Sequence, residues 1–97
     1  MSAPTLCRGG SDLTPQRMGV RIDRATGLVK PDRGVSVSTA PDGLDRFGGA
    51  HALGAIPAEL RVIQVGRNPN HHEIIPVAPM AFDRYAELLQ QIPVARV

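Results

Sequence analysis

Ninety-seven residues suffice for one domain with a single core. At 42% hydrophobic, with two Phe, one Tyr and no Trp, that core must be aliphatic. The formal charge is only +2, and the basic residues (all arginine except Lys30) are scattered among Asp and Glu, which excludes a clustered nucleic-acid stripe interleaved with aromatics. Cys7 is the single cysteine, so no intrachain disulfide exists and a reducing compartment is expected.

Met1–Cys7 lacks the charged-then-apolar order of a signal peptide, and no apolar stretch is long enough to cross a membrane. A soluble chain made in the cytoplasm is therefore expected, with no membrane partner and no nucleic-acid partner. Nine Pro and ten Gly predict many turns and short elements.

Thr5-Leu6-Cys7-Arg8, halted by Gly9-Gly10, predicts a first strand with Leu6 and Arg8 on one face and Cys7 on the other. Met18, Val20 and Ile22 alternate and predict a second, and Asp23–Gly27 and Lys30–Gly34 read as turns. Val35–Thr39 alternates with period two, so Val35, Val37 and Thr39 share one face and Ser36 and Ser38 the other. Pro41–Phe47 reads as a turn or one helical turn. Gly48–Ala55 is rich in small residues and reads as a mobile loop carrying His51.

Leu60–Val65 and His71–Val77 predict a hairpin across Gly66–Asn70, with Pro76 ending the ladder or lying at an edge. In the second strand His71, Glu73 and Ile75 share one face and His72 and Ile74 the other. Ala81–Ile92 is the one clear helix, with an apolar stripe of Phe82, Tyr85, Ala86, Leu89 and Ile92, Asp83 in the first turn and Pro93 as its stop. Tyr85 is expected in the core with its hydroxyl reaching the surface. The fold class is α+β: a twisted, mostly antiparallel set of short strands with that helix packed on one face, in a single domain over residues 1–97.

Several chemistries lack their residues. There is no G-x-G-x-x-G after a strand, no G-x-x-x-x-G-K-[ST] and no H-E-x-x-H. Adjacent His71 and His72 point to opposite faces and do not serve one metal together, and one cysteine does not complete a zinc site. No metal is expected. A lone cysteine is most often a buried small hydrophobe. What remains is a set of strands, each with polar residues able to face one cleft: Arg8, then Ser36 and Ser38, then His71 and Glu73.

Three further segments occur in order: Lys30-Pro31-Asp32-Arg33-Gly34-Val35-Ser36-Val37, Ile56-Pro57-Ala58-Glu59-Leu60-Arg61-Val62 and His71–Met80. Together with Leu6-Cys7-Arg8 they resemble one family, the small cytotoxic effectors of the exported effector two type, delivered by type VI secretion, and their relatives in toxin–antitoxin pairs. The resemblance covers roughly Leu28 to Ile92 and Leu6–Arg8.

It implies a small fold like that of NAD-dependent ADP-ribosyltransferase toxins, with NAD as cofactor and a cognate antitoxin or immunity protein as partner. It also implies action on a macromolecular target in the cytoplasm, including that of a cell into which the toxin is delivered. By resemblance Arg8 grips the dinucleotide phosphates, Ser36 lines the nicotinamide cleft, and His71 is the histidine that opens a strand. Tyr85 lies in the matching helix with no assigned role.

The chemistry is compatible. Cleaving NAD between nicotinamide and ribose builds positive charge on the ribose, and Glu73 is the carboxylate on the His71 face. Arg8 offers a planar fork suited to a pyrophosphate, His71 a bond to a ribose hydroxyl, and Ser36 orientation of the ribose or the nicotinamide amide. His71, Ser36 and Glu73 are thus the candidate catalytic residues, and Arg8, Ser36, Ser38 and His71 the cofactor-binding ones. Val35 stands where the family pattern can carry a threonine, a loss for which Ser38 compensates, and the chain is shorter than those toxins. Both departures support a second reading, a non-catalytic binding module on the same scaffold.

Overall fold

A computed structural model describes residues 6–10, 12–39 and 49–96. Strand β1, Cys7–Gly9, ends where Gly10 takes a positive φ of 81°. A single 3-10 turn, Arg17–Gly19, follows. Met18 on it is 94% exposed. The alternation of Met18, Val20 and Ile22 therefore does not make a strand: Val20 enters the core, and only Ile22 bridges across to Val29. Strand β2 is Leu28–Val29 and β3 is Val35–Ser38, in which Val35 and Val37 are buried and Ser36 is exposed, as its period-two pattern predicts. The turn expected at Pro41–Phe47 lies outside the described residues.

Strand β4, Ala50–Leu53, corrects the expected loop around His51. It lacks β-branched residues, so its own propensity is poor. Pairing on both sides imposes the extended form: Ala52 stands opposite Cys7 on one edge and opposite Ala95 on the other. The predicted hairpin is present as β5, Leu60–Gln64, and β6, His71–Pro76, with Pro76 as the last residue of its ladder, opposite Leu60.

Strand β7, Met80–Ala81, leads into helix α1, Phe82–Gln90, which ends before the predicted Ile92 in a tightened last turn where Gln91 N–H and Ile92 N–H donate to Leu88 O and Leu89 O. No side chain caps its N-terminus. That lack costs about 1 kcal/mol. It is outweighed by burying Leu88 and Leu89, each worth roughly 1.5–3 kcal/mol. The buried stripe is Tyr85, Leu88, Leu89 and Ile92, with Leu88 in place of half-buried Ala86. After Pro93 the chain forms β8, Val94–Arg96.

The strands make a six-stranded antiparallel sheet in the order β5-β6-β3-β1-β4-β8, and β2 and β7 pair in a small second sheet. This is a compact α+β domain. Register places Val35, Ile74 and Val62 in one cross-strand row, and these residues join Val37, Leu60 and the helix stripe in the core. The opposite face carries the rows Ser36–Glu73–Ile63 and Cys7–Ser38–His71. Three of the residues singled out from sequence, Ser36, Ser38 and His71, therefore share the sheet face that turns away from the main core, together with Glu73. No helix among the described residues is long and apolar enough to cross a membrane.

Candidate functional site

The site lies where the sheet splits. β1 pairs with β3 at one position only, Cys7↔Ser38, while all three of its residues pair with β4. Past that position the Ser36 carbonyl has no ladder donor from β1. It accepts instead from Arg8 Nη1 at 2.5 Å, while Arg8 Nε donates to the Asp12 carbonyl at 2.9 Å. The guanidinium thus spans the gap and satisfies backbone groups that a continued ladder would have paired. Donors on Nη1 and Nη2 remain uncommitted among the described residues.

Two cavities adjoin this guanidinium. The larger, about 420 Å³, is lined by Cys7, Arg8, Ser36, Ser38 and His71, with Gly9 and Val37. The smaller, about 240 Å³, shares Arg8 and Ser36 with it and is lined further by Arg33, Glu73, the Thr14–Gln16 segment and Gly19. Three neighbouring strands supply the larger one: Arg8 from β1, the serines from β3, His71 from β6. Its size falls within the roughly 300–1,000 Å³ of small-molecule sites.

Glu73 is 7% exposed. Its Oε1 accepts the Gly34 N–H at 3.1 Å, and its Oε2 lies 3.3 Å from His71 Nε2. The strand alternation that predicts His71 and Glu73 on one face holds. Glu73, however, lines the smaller cavity and His71 the larger, so the pair straddles the partition between them.

Beneath them is a junction that sequence did not reveal. The Tyr85 hydroxyl accepts from Val35 N–H at 3.0 Å and donates to Ile74 C=O at 2.5 Å. It is fully buried. This corrects the expectation that the hydroxyl reaches the surface. Gly34 is required here, because a Cβ at that position would collide with the Ile74 carbonyl and the Tyr85 hydroxyl.

Burial pushes the Tyr85 phenol up to about 12; the Glu73 charge adds to the rise, and the Val35 bond and the Arg8 charge oppose it. Burial lowers the Arg8 guanidinium, with Asp12 partly offsetting it. Arg8 forms no ion pair among the described residues. Asp12, whose charge acts on it, accepts the Thr14 N–H through Oδ1 at 2.8 Å.

The structure therefore brings Arg8, Ser36, Ser38 and His71 around one cavity and sets Glu73 beside His71 beneath the other. Cys7 is buried at 3% exposure, as a lone cysteine is expected to be. His72 sits on the other face, its Nδ1 3.2 Å from the Asn70 carbonyl. Sequence reasoning missed Arg33, which was read as part of a turn, and the only available signal was its place two residues before the Val35 strand. Among the described residues no group of His, Cys, Asp and Glu could hold a metal ion. Comparison with protein-family models, with curated proteins and with solved structures finds no match to this chain.

Proposed function

We propose that this chain is a cytotoxic ADP-ribosyltransferase-like protein that uses NAD, acts in the cytoplasm on a macromolecular target, and is neutralised by a cognate antitoxin or immunity protein. The observation that carries the reading is the convergence of Arg8, Ser36, Ser38 and His71, from three adjacent strands, on one cavity of about 420 Å³. The donor set fits the dinucleotide: a half-buried guanidinium with uncommitted N–H groups for the phosphates, and hydroxyls and an imidazole for a ribose and an amide.

NAD supplies a bond between nicotinamide and ribose whose cleavage builds positive charge on the ribose. Arg8, anchored by two backbone carbonyls, holds the phosphates from a fixed position. Ser36, exposed beside it, orients the ribose or the nicotinamide amide. His71 bonds a ribose hydroxyl, and Glu73 Oε2, 3.3 Å away, fixes the imidazole and brings a negative charge to that side of the cleft. Incubating the protein with NAD and a cell extract tests the reading. Transfer of ADP-ribose or release of nicotinamide is expected; neither product, together with no growth arrest on expression, sinks it.

A second reading, a non-catalytic binding module, is favoured by one observation. Both Glu73 oxygens are engaged, one by the Gly34 N–H and one by His71, and the side chain is buried. A carboxylate committed in this way is suited to holding the fold. NAD binding without turnover would decide for this reading.

A further inference from the structure

We infer that the smaller cavity is a two-arginine anion site for a diphosphate group, with Arg33 as the second cation beside Arg8. Arg33 lies in the connection between β2 and β3 and lines this cavity together with Arg8, Thr14, Gln16, Ser36 and Glu73. Two arginines, two hydroxyl residues and one glutamine thus line the space with a single acid. That carboxylate is turned to other partners, Glu73 Oε1 to the Gly34 N–H and Oε2 to His71.

Asp12 and Asp32 also have other partners, although the Asp12 charge still acts on Arg8. Asp32, adjacent to Arg33, lies 3.8 Å from Arg21, and the Asp12 carboxylate accepts from Thr14 N–H. Arg33 itself makes no ion pair or hydrogen bond among the described residues. Two arginines that form no ion pair among the described residues, set around a concave space, favour an anion, and the planar fork suits phosphate oxygens. At about 240 Å³ the space is smaller than most whole-ligand sites, roughly 300–1,000 Å³, and so fits a diphosphate fragment rather than an entire dinucleotide. Arg8 and Ser36 also line the larger cavity, so a ligand with its diphosphate here extends its remaining part toward His71.

The inference deepens the proposed function and rests on that reading for the identity of the ligand, while the anion site is tested with inorganic diphosphate alone. Calorimetric titration of the full chain with diphosphate is expected to show saturable binding that weakens with salt. Arg33→Ala is expected to weaken it about tenfold or more, the scale of one lost charge-assisted bond, and Arg33→Lys to restore part of the loss.

Gly19→Leu supplies an independent variant. Nothing lies within 4 Å of a Cβ at Gly19, so a side chain is accommodated there without displacing the backbone, and bulk added at this position of the cavity wall is expected to lower binding with every charge in place. No binding by the native chain, or native-like binding by both Arg33→Ala and Gly19→Leu, overturns the inference. Arg33-dependent diphosphate binding without NAD turnover leaves the anion site standing and removes the proposed function. Turnover with an unchanged KM for NAD in Arg33→Ala removes the role of Arg33 and leaves the proposed function standing.

Discussion

The two edges of β3 are satisfied by different means. Toward β6 it makes four register pairs, and its first residue is tied through the Tyr85 hydroxyl to Ile74 and so to α1. Toward β1 it makes one pair and then leans on an arginine side chain. The first edge is closed by ladder pairs and by the buried Tyr85 hydroxyl. The second borders two cavities, and its bridging group keeps hydrogen-bond donors to spare. A single four-residue strand can therefore close one edge for stability and leave the other bordering open cavities.

Gly34→Ala should strike the closed edge hardest. Its methyl has no space between the Ile74 carbonyl and the Tyr85 hydroxyl. A loss of about 3 kcal/mol or more is expected, beyond ordinary overpacking because the obstacle includes backbone. Urea unfolding checks this, and a native midpoint would show that the edge is less rigid than the contacts imply.

Tyr85→Phe comes next. It leaves Val35 N–H and Ile74 C=O without the hydroxyl, at a cost of about 2–4 kcal/mol. The expected fall in Tm is roughly 10 °C or more. The same side chain predicts an alkaline limb. Its folded value is raised to about 12 from 10.0, so its contribution is complete below pH 10 and is lost as pH rises toward 12. Tyr85 is the only tyrosine and there is no tryptophan, so tyrosinate absorbance follows this group alone. Tyr85→Phe should flatten the loss of stability across that window relative to the native chain.

At the open edge the effects on stability are smaller and those on function larger. Arg8→Ala should cost only about 0.5–1.5 kcal/mol, because water replaces the guanidinium at exposed carbonyls. Under the proposed function it should nonetheless abolish NAD binding. Unfolding on this substitution would move Arg8 from the binding edge to the stabilising one.

Glu73→Gln should change stability least, within about 1 kcal/mol, since the new amide oxygen still accepts from Gly34 N–H. Under the proposed function NAD cleavage falls about 100-fold or more on loss of the charge. Native turnover by this variant would assign Glu73 to the closed edge alone.

These two edges also mark what sequence could and could not reveal. Alternation in Val35–Ser38 and His71–Pro76 is a local property, and it set the faces of Ser36, Ser38, His71 and Glu73. The helix stripe was legible for the same reason, although Leu88 replaces Ala86 in it. Ala50–Leu53 was not legible, because its small residues extend only when β1 and β8 hold both sides. The Met18–Ile22 alternation misled because it lacks a ladder beyond Ile22↔Val29. The place of Arg33 beside Arg8 and the insertion of Tyr85 between Val35 and Ile74 join residues far apart in sequence, and no short-range pattern encodes either.

The central position of β1 has a consequence for how the molecule assembles. This three-residue strand joins β5-β6-β3 to β4-β8, and its partners Ser38 and Ala52 lie far along the chain. These pairs, like the Val35–Tyr85 bond, join residues far apart in sequence, so each forms against a loop-closure cost. Arg8 rides on this strand, so it reaches the Ser36 carbonyl only once β1 is seated. β1 unites the two parts of the sheet and supplies Arg8 to both cavities, so without its seating neither cavity is complete.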